Sequence, residues 1–426
     1  MSILPPIAHF ALHYPMSTLD QERTSAFART GIVMWSRLLL LALLLPPAPV
    51  LAGAKENIAA LASSGLVLVV DADGKELVAQ NADQPFVPAS VTKIVTAWLA
   101  LEVLGSDYRF QTRFYLDNNR VLYVRGGGDP FLISEELALL APQLVAAVGK
   151  QPLAGIVLDA SYYPADLRIP GIEASKESYD ALNSALAVNF NTIYAERSAN
   201  SVVSAEKQTP ITPLAIKQFR ARGPKGRGRI SLSQDPAVSL QYAGELIAAF
   251  IAQSGGSVKG PISTGPVRQG LEPVYVHRQS RTLSEILVEL LRASNNYIAN
   301  QVFLEIGGHR LGGPVSLVKS LQVAHEILAA HGLADAIHLE EGSGISRGNR
   351  FTARGLAKVL ALFAPHADLL HGHDGGTNKT GSLEGVRTLA GYTGTSTHGQ
   401  VRFVISLRSN SDAMRFELLR AIRSAL

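Results

Sequence analysis

Apolar positions early in the chain fall in two short runs, Leu66–Val70 and Leu77–Gln80, on either side of Asp71-Ala72-Asp73-Gly74. Asp-Gly between two β-prone runs predicts a hairpin. The period then changes: Ile94, Val95, Trp98, Leu99, Leu101 and Leu104 recur at helical spacing, predicting a helix that starts at Ser90, buries one face and stops at Gly105. Phe110–Tyr115 and Val121–Val124 flank Asp117-Asn118-Asn119 and predict a second hairpin, which runs into Gly126-Gly127-Gly128-Asp129-Pro130. From there to about residue 271 the pattern mixes short strands, helices and Pro/Gly-rich turns. Beyond it, helices are predicted over Leu283–Ala293, Tyr297–Ile306, residues 316–331, and from the N-cap Thr352 to Phe363. Thr388–Tyr392 and Gln400–Leu407 read as paired strands, with Ser411 capping a final amphipathic helix, Asp412–Leu426. No internal repeat is present.

The first 52 residues follow a different logic. Met34-Trp35-Ser36-Arg37 precedes the apolar run Leu38–Leu45, then Pro46-Pro47 and a small-residue stretch ending Val50-Leu51-Ala52. This is the order of a secretory signal peptide cut after Ala52. The run is too short to span a membrane, which takes about 20 apolar residues. Residues 1–33 have no helical or strand period, so translation is expected to begin at Met34, and the mature protein is expected in the periplasm.

Composition narrows the class. With 47% hydrophobic and 17% charged residues in 426, the chain is ordinary globular protein and not disordered or low-complexity. A net charge of +4 suits peripheral association with an anionic cell envelope but, spread along the chain, does not mark a nucleic-acid binder. The absence of cysteine excludes disulfide scaffolds, thiolate metal sites and thiol nucleophiles. Arg220, Arg222, Lys225, Arg227 and Arg229, interleaved with glycines, read as a solvated basic loop.

Three small motifs carry the chemistry: Ser90-Val91-Thr92-Lys93, Ser294-Asn295-Asn296 and Lys379-Thr380-Gly381. A serine and a lysine three apart share a helix face, about 5–6 Å apart at their β-carbons, so an amine of lowered pKa can take the hydroxyl proton. Alone, such a pair is usually a solvated helix face. Here the helix is mostly apolar, and its N-terminal amides point toward developing negative charge. Ser294 can relay a proton to a leaving amine and Asn296 can hold a substrate amide. Lys379 supplies a positive field that helps keep Lys93 neutral. Thr380 can bind a substrate carboxylate. Gly381 permits close backbone approach, so that a strand starting at Lys379 pairs with an extended peptide while the N–H groups of Ser90 and Ser382 form an oxyanion hole.

In this order the motifs resemble those of the penicillin-interacting serine enzymes. The roughly 200 residues between Ser90 and Ser294 leave room for an inserted domain. That arrangement is similar to the D-alanyl-D-alanine carboxypeptidase/endopeptidase family of low-molecular-mass penicillin-binding proteins, peptidase family S13. Pro88-Ala89-Ser90, Gly126-Gly127-Gly128-Asp129-Pro130, Gly342-Ser343-Gly344-Ile345-Ser346-Arg347-Gly348-Asn349 and Lys379-Thr380-Gly381-Ser382-Leu383 add to the resemblance, which runs from about residue 60 to 425.

The resemblance implies an α/β (α+β) fold: a serine β-lactamase/DD-transpeptidase-like domain, its antiparallel sheet flanked by helices, built from residues 53–108 plus 272–426 and interrupted by a mixed insert at 109–271. It implies Ser90 as acylated nucleophile, Lys93 as base, Ser294 and Asn296 as second element, Lys379 and Thr380 as third, and Arg347 facing a substrate side-chain carboxylate. Peptidoglycan stem peptides would be the substrate and β-lactams covalent inhibitors, with no cofactor. Glu341 stands where the family usually has Asp, and Glu384 places a carboxylate where a neutral amide is familiar, close enough for an expected ion pair with Arg347.

Two other readings stay open: a β-lactamase, distinguished by fast deacylation, and a non-catalytic peptidoglycan-binding regulator, which would not need all three motifs. No G-x-S-x-G elbow, Walker loop or H-E-x-x-H helix competes. His371-Gly372-His373-Asp374 reads as a glycine-rich loop and not as a metal site.

Overall fold

The structure, a computed structural model, describes residues 56–426; the signal peptide and the start at Met34 lie outside the described residues. A short helix, α1 (residues 56–61), leads into the hairpin β1 (Gly65–Val70) and β2 (Glu76–Gln80). A 3-10 turn at Ala89–Val91 then feeds α2 (Thr92–Leu104). The next segment holds β3 (Gln111–Leu116), β4 (Val121–Arg125), α3 (Ser134–Val148), β5 (Gly155–Asp159), β6 (Thr192–Arg197) and β7 (Val202–Ser204). It continues with α4 (Pro213–Arg222), β8 (Gly226–Ser231), α5 (Pro236–Gln253), β9 (Ile262–Thr264) and β10 (Pro273–Arg278). The chain then forms α6 (Leu283–Ala293), α7 (Asn296–Leu311), α8 (Leu317–Ala330), β11 (Ile337–His338), β12 (Arg350–Phe351) and α9 (Ala353–Phe363). It closes with β13 (Gly372–His373), β14 (Gly376–Leu383), β15 (Val386–Thr395), β16 (Gly399–Leu407) and α10 (Asp412–Ala425).

The sheet that frames the site is antiparallel, six-stranded and ordered β13-β14-β15-β16-β1-β2, so the first strands join the last. Leu66 faces Ser406 and Val70 faces Arg402 across β1 and β16. Because side chains alternate along a strand, Val67 and Val69 of β1 reach one face, where they pack with Phe403, Ile405, Leu418, Leu419 and Ile422 under α1 and α10. Helix α9 packs on β1 and β16, and α2 packs against α6, α7 and α9. Helix α2 is therefore enclosed on all sides: every residue from Thr92 to Leu101 is buried, not the single face that the spacing predicts. Its polar side chains are tolerated there because they are hydrogen-bonded, Thr96 donating to Gly342 O at 2.6 Å.

Between α2 and α6 the chain builds a five-stranded mixed sheet, β10-β3-β4-β5-β9, and a three-stranded one, β7-β6-β8. Leu122, Val124, Ile156 and Leu158 pack with Leu140 and Leu144 of α3 and with Leu246 and Phe250 of α5. The basic run is not a loop: Arg220 and Arg222 end α4, and Arg227 and Arg229 lie in β8, ion-paired to Glu196 and Glu206. Ser411 occupies the N-cap position of α10 without a side-chain capping bond. Gln279, just after β10, donates to both carboxylate oxygens of buried Asp129 at 3.1 and 2.9 Å and to Phe131 O at 3.0 Å.

Candidate active site

The turn that carries Ser90 is held in a conformation it would not choose alone. Ala89 has φ 49°, in the left-handed region that a β-carbon disfavours. Thr92 Oγ1 donates to Ala89 O at 2.8 Å. Gly344 lies so close that a β-carbon there would sit 1.9 Å from the same carbonyl. The surroundings thus fix Ala89, and through it the exit angle of Ser90.

Lys93, one helical turn on and fully buried, reaches three oxygens: Ser90 Oγ at 3.1 Å, Asn296 Oδ1 at 2.8 Å and Ser343 O at 2.7 Å. Burial pushes the amine down to about 7, against the pull of the Glu341 carboxylate in the other direction. The sequence leads one to expect that the field of Lys379 helps keep Lys93 neutral; desolvation by burial is what lowers it. Lys379, buried in β14, is itself held well below the usual lysine range by burial, then by Lys93 and by Arg415.

The second motif is the break between α6 and α7. Ser294 ends α6 at φ 55°, and Asn295 caps α7, accepting from Ile298 N at 3.1 Å. This sharp junction aims two neighbours at different lysines: Ser294 Oγ accepts from Lys379 Nζ at 2.8 Å, while Asn296 meets Lys93. The Asn296 amide is oriented by Nδ2 donating to Tyr179 O at 3.4 Å, in a 3-10 turn at Ser178–Asp180.

The third motif closes the site. A β-carbon on Gly381 would lie 2.9 Å from Ser90 N and 2.2 Å from Thr388 Oγ1, so only glycine lets β14 approach the Ser90 turn this closely. Thr388 Oγ1 also donates to Pro88 O at 2.8 Å, tying β15 to that turn. On its other side β14 pairs with β13 only at Gly376 and Thr377. Among the described residues the edge from Lys379 to Leu383 is therefore open to an extended peptide. Thr380 is half-buried along it and Ser382 is exposed.

The segment 341–349, which the resemblance marks through Arg347, also belongs to the site. Buried Glu341 accepts from Ser343 N at 2.7 Å, Ser343 Oγ at 2.6 Å, Gly344 N at 2.6 Å and Asn349 Nδ2 at 2.8 Å. Asn300 Oδ1 accepts from Gly342 N at 2.8 Å. These bonds present the Ser343 carbonyl to Lys93. Arg347 is exposed, and its Nη2 donates to the main-chain carbonyl of Glu384 at 2.6 Å rather than to the carboxylate that the sequence suggested. Near His371 to Asp374, as elsewhere among the described residues, no group of three His, Asp or Glu side chains comes together to hold a metal.

The model of the D-Ala-D-Ala carboxypeptidase 3 (S13) family matches residues 53–226 and 204–375. The chain belongs to that family. It is thus a serine D-Ala-D-Ala carboxypeptidase. The S13 match stops ahead of Lys379, so the third motif is placed by its geometry. Among relatives, the S13 chain is 29% identical over 405 residues to the D-alanyl-D-alanine carboxypeptidase of Actinomadura sp. strain R39, covering 78% of this chain and 75% of that one. The crystal structure of penicillin binding protein 4 (dacB) from Haemophilus influenzae shares the fold, with a TM-score of 0.70 and 21% identity over 86% of this chain and 98% of that one. The same Haemophilus protein complexed with a β-lactam aligns with a TM-score of 0.66 and 18% identity, over 87% of this chain and 99% of the other.

Proposed function

We propose that Ser90 is the nucleophile of a DD-peptidase that removes the terminal D-Ala from peptidoglycan stem peptides, and that Lys93 is its base. The observation that carries this reading is the set of three oxygens around Lys93 Nζ. A neutral amine has two hydrogens and one lone pair. Asn296 Oδ1 and Ser343 O can only accept, so they take the hydrogens, and the lone pair is left to the Ser90 hydroxyl. Ser90 Oγ then attacks the carbonyl of the penultimate D-Ala as its proton passes to Lys93, with the oxyanion facing the N–H groups of Ser90 and Ser382. Ser294 relays to the leaving D-Ala amine the proton that Lys93 took, so that both residues return to their starting states, and Lys379 with Thr380 holds the terminal carboxylate. Water hydrolyses the acyl-enzyme. A β-lactam amide would follow the first half of this course and arrest at the acyl stage.

The same open edge of β14 would accept the donor strand of a cross-link, giving endopeptidase activity. We further propose that residues 53–108 plus 272–426 form the catalytic domain with 109–271 as its insert, and that the mature protein starts at Gly53 in the periplasm.

Mass spectrometry of products from purified pentapeptide muropeptides tests the reaction: loss of a single D-Ala is expected, and cross-linked dimers report endopeptidase action. Intact muropeptides after prolonged incubation, with no acyl adduct on Ser90 after β-lactam treatment, would reject the assignment. N-terminal sequencing of the exported protein tests the cleavage site, and recovery of residues 1–33 on it would refute the proposed start.

A further inference from the structure

Helix α10 sends one arginine under the strand that carries the third motif. Arg415 is buried at 5% exposure, and its Nη1 donates to Gly381 O at 2.9 Å, to Ser382 Oγ at 3.0 Å and to Thr388 O at 3.4 Å. Its other terminal nitrogen pairs with Asp412 at 2.8 Å, and the same carboxylate oxygen lies 2.8 Å from Arg387 Nε. The guanidinium is therefore locked from two directions, and of the two carbonyls it meets, Gly381 O is the nearer.

We infer that Arg415 is a positioning residue for the oxyanion hole, acting through the Gly381–Ser382 peptide. The 381–382 bond precedes a residue other than proline and is trans, and in a planar trans peptide C=O and N–H point in opposite directions. Holding the Gly381 carbonyl from beneath fixes the Ser382 N–H toward the open edge of β14, beside Ser90 N. A charge-assisted bond to the carbonyl also polarises that amide and makes its N–H a stronger donor to a developing oxyanion. Thr388 Oγ1 anchors the turn of Ser90 while Arg415 touches Thr388 O, so both donors of the hole are referenced to the same residue of β15.

This inference rests on the proposed role of Ser382 N–H and predicts a particular kinetic signature. Removing a direct oxyanion donor costs about 10²- to 10³-fold; loosening one from behind should cost less, about 10- to 100-fold, and only in the acylation rate constant. Acylation of full-length mature protein by a fluorescent penicillin separates the two readouts, rate constant and final stoichiometry. Arg415→Gln should label to one acyl group per folded chain, but slowly, and Arg415→Lys, which keeps the charge, should recover part of the rate. The D-Ala-D-Ala peptide should show kcat reduced with KM little changed. Arg415→Gln acylating within twofold of the parent rate, or losing stoichiometry with an unchanged rate constant, would overturn the inference. Absence of Ser90 labelling in the parent protein would instead overturn the proposed function.

Discussion

Glu341 and Lys93 are joined through a single residue: the Glu341 carboxylate accepts from the N–H and the hydroxyl of Ser343, and the Ser343 carbonyl accepts from Lys93 Nζ. The base of the proposed reaction is thus oriented by a buried carboxylate that never touches it, and whose charge opposes its neutralisation.

Acylation should therefore have an acidic limb near pH 7, rising as Lys93 loses its proton. Lys93→Ala should slow acylation by at least about 100-fold, since a general base typically supplies 10²- to 10⁴-fold, and Lys93→Arg should not rescue because guanidinium stays protonated. A pH-independent rate between 5 and 9, or a near-parental rate for Lys93→Ala, would show that another group is the base.

The limb can be moved in both directions. Asn296→Asp puts a carboxylate against the amine, favours its charged form and should shift the limb to higher pH. Glu341→Gln removes the opposing carboxylate and should shift it lower, while costing about 1–3 kcal/mol of stability because the N–H groups of Ser343 and Gly344 lose a charged acceptor. Stopped-flow acylation profiles of the two variants check this; shifts of the same sign would contradict it.

Stability should carry the same signature. Lys93 binds its proton more weakly when folded, so the unfolded chain holds the extra proton between about pH 7 and the ordinary lysine value of 10.5. Stability supplied by this group is present above that window and is lost as pH falls through it, by up to about 1.4 kcal/mol per pH unit. Denaturant unfolding of the parent and Lys93→Met across pH 7–9.5 should diverge with that slope. Parallel curves would mean that Lys93 is charged in the folded state.

Ser90→Ala should abolish labelling by a fluorescent penicillin with the thermal transition preserved, because one hydroxyl is removed from a turn fixed by Ala89, Thr92 and Gly344. Labelling that persists would move the nucleophile elsewhere.

Arg347→Ala should lower kcat/KM for stem peptides with a free side-chain carboxylate more than for a simple acyl-D-Ala-D-Ala peptide, the lost contact being worth about 1.5–3 kcal/mol. Since Arg347 leans on the Glu384 main chain, Glu384→Gln should leave this preference in place. Equal losses on every peptide would make Arg347 a structural residue.

What the sequence made legible was local. Ser90 and Lys93 are read from a three-residue spacing, and the α6–α7 break from Ser294-Asn295-Asn296, because one turn of backbone decides both. Gly381 is read from the absence of a side chain, whereas Ser343 and Tyr179 act at the site through main-chain oxygens, which their side-chain types do not announce. Arg227 and Arg229 look like loop charges until β6 and the segment after β7 bring Glu196 and Glu206 to them. The spacing predicts that α2 buries one face; Thr92, Lys93 and Thr96 are buried as well, each with a hydrogen-bond partner.

The pairing of Leu66 with Ser406 has a temporal meaning. Strand β1 is made long before its partner β16, and contacts so distant in sequence form late because a long loop must close first. Ser90 has neither Ser294 nor Lys379 until those segments exist, so a partly synthesised chain holds no assembled nucleophile. The proposed acyl transfer is thus withheld until β14 has been made and has packed against the turn of Ser90.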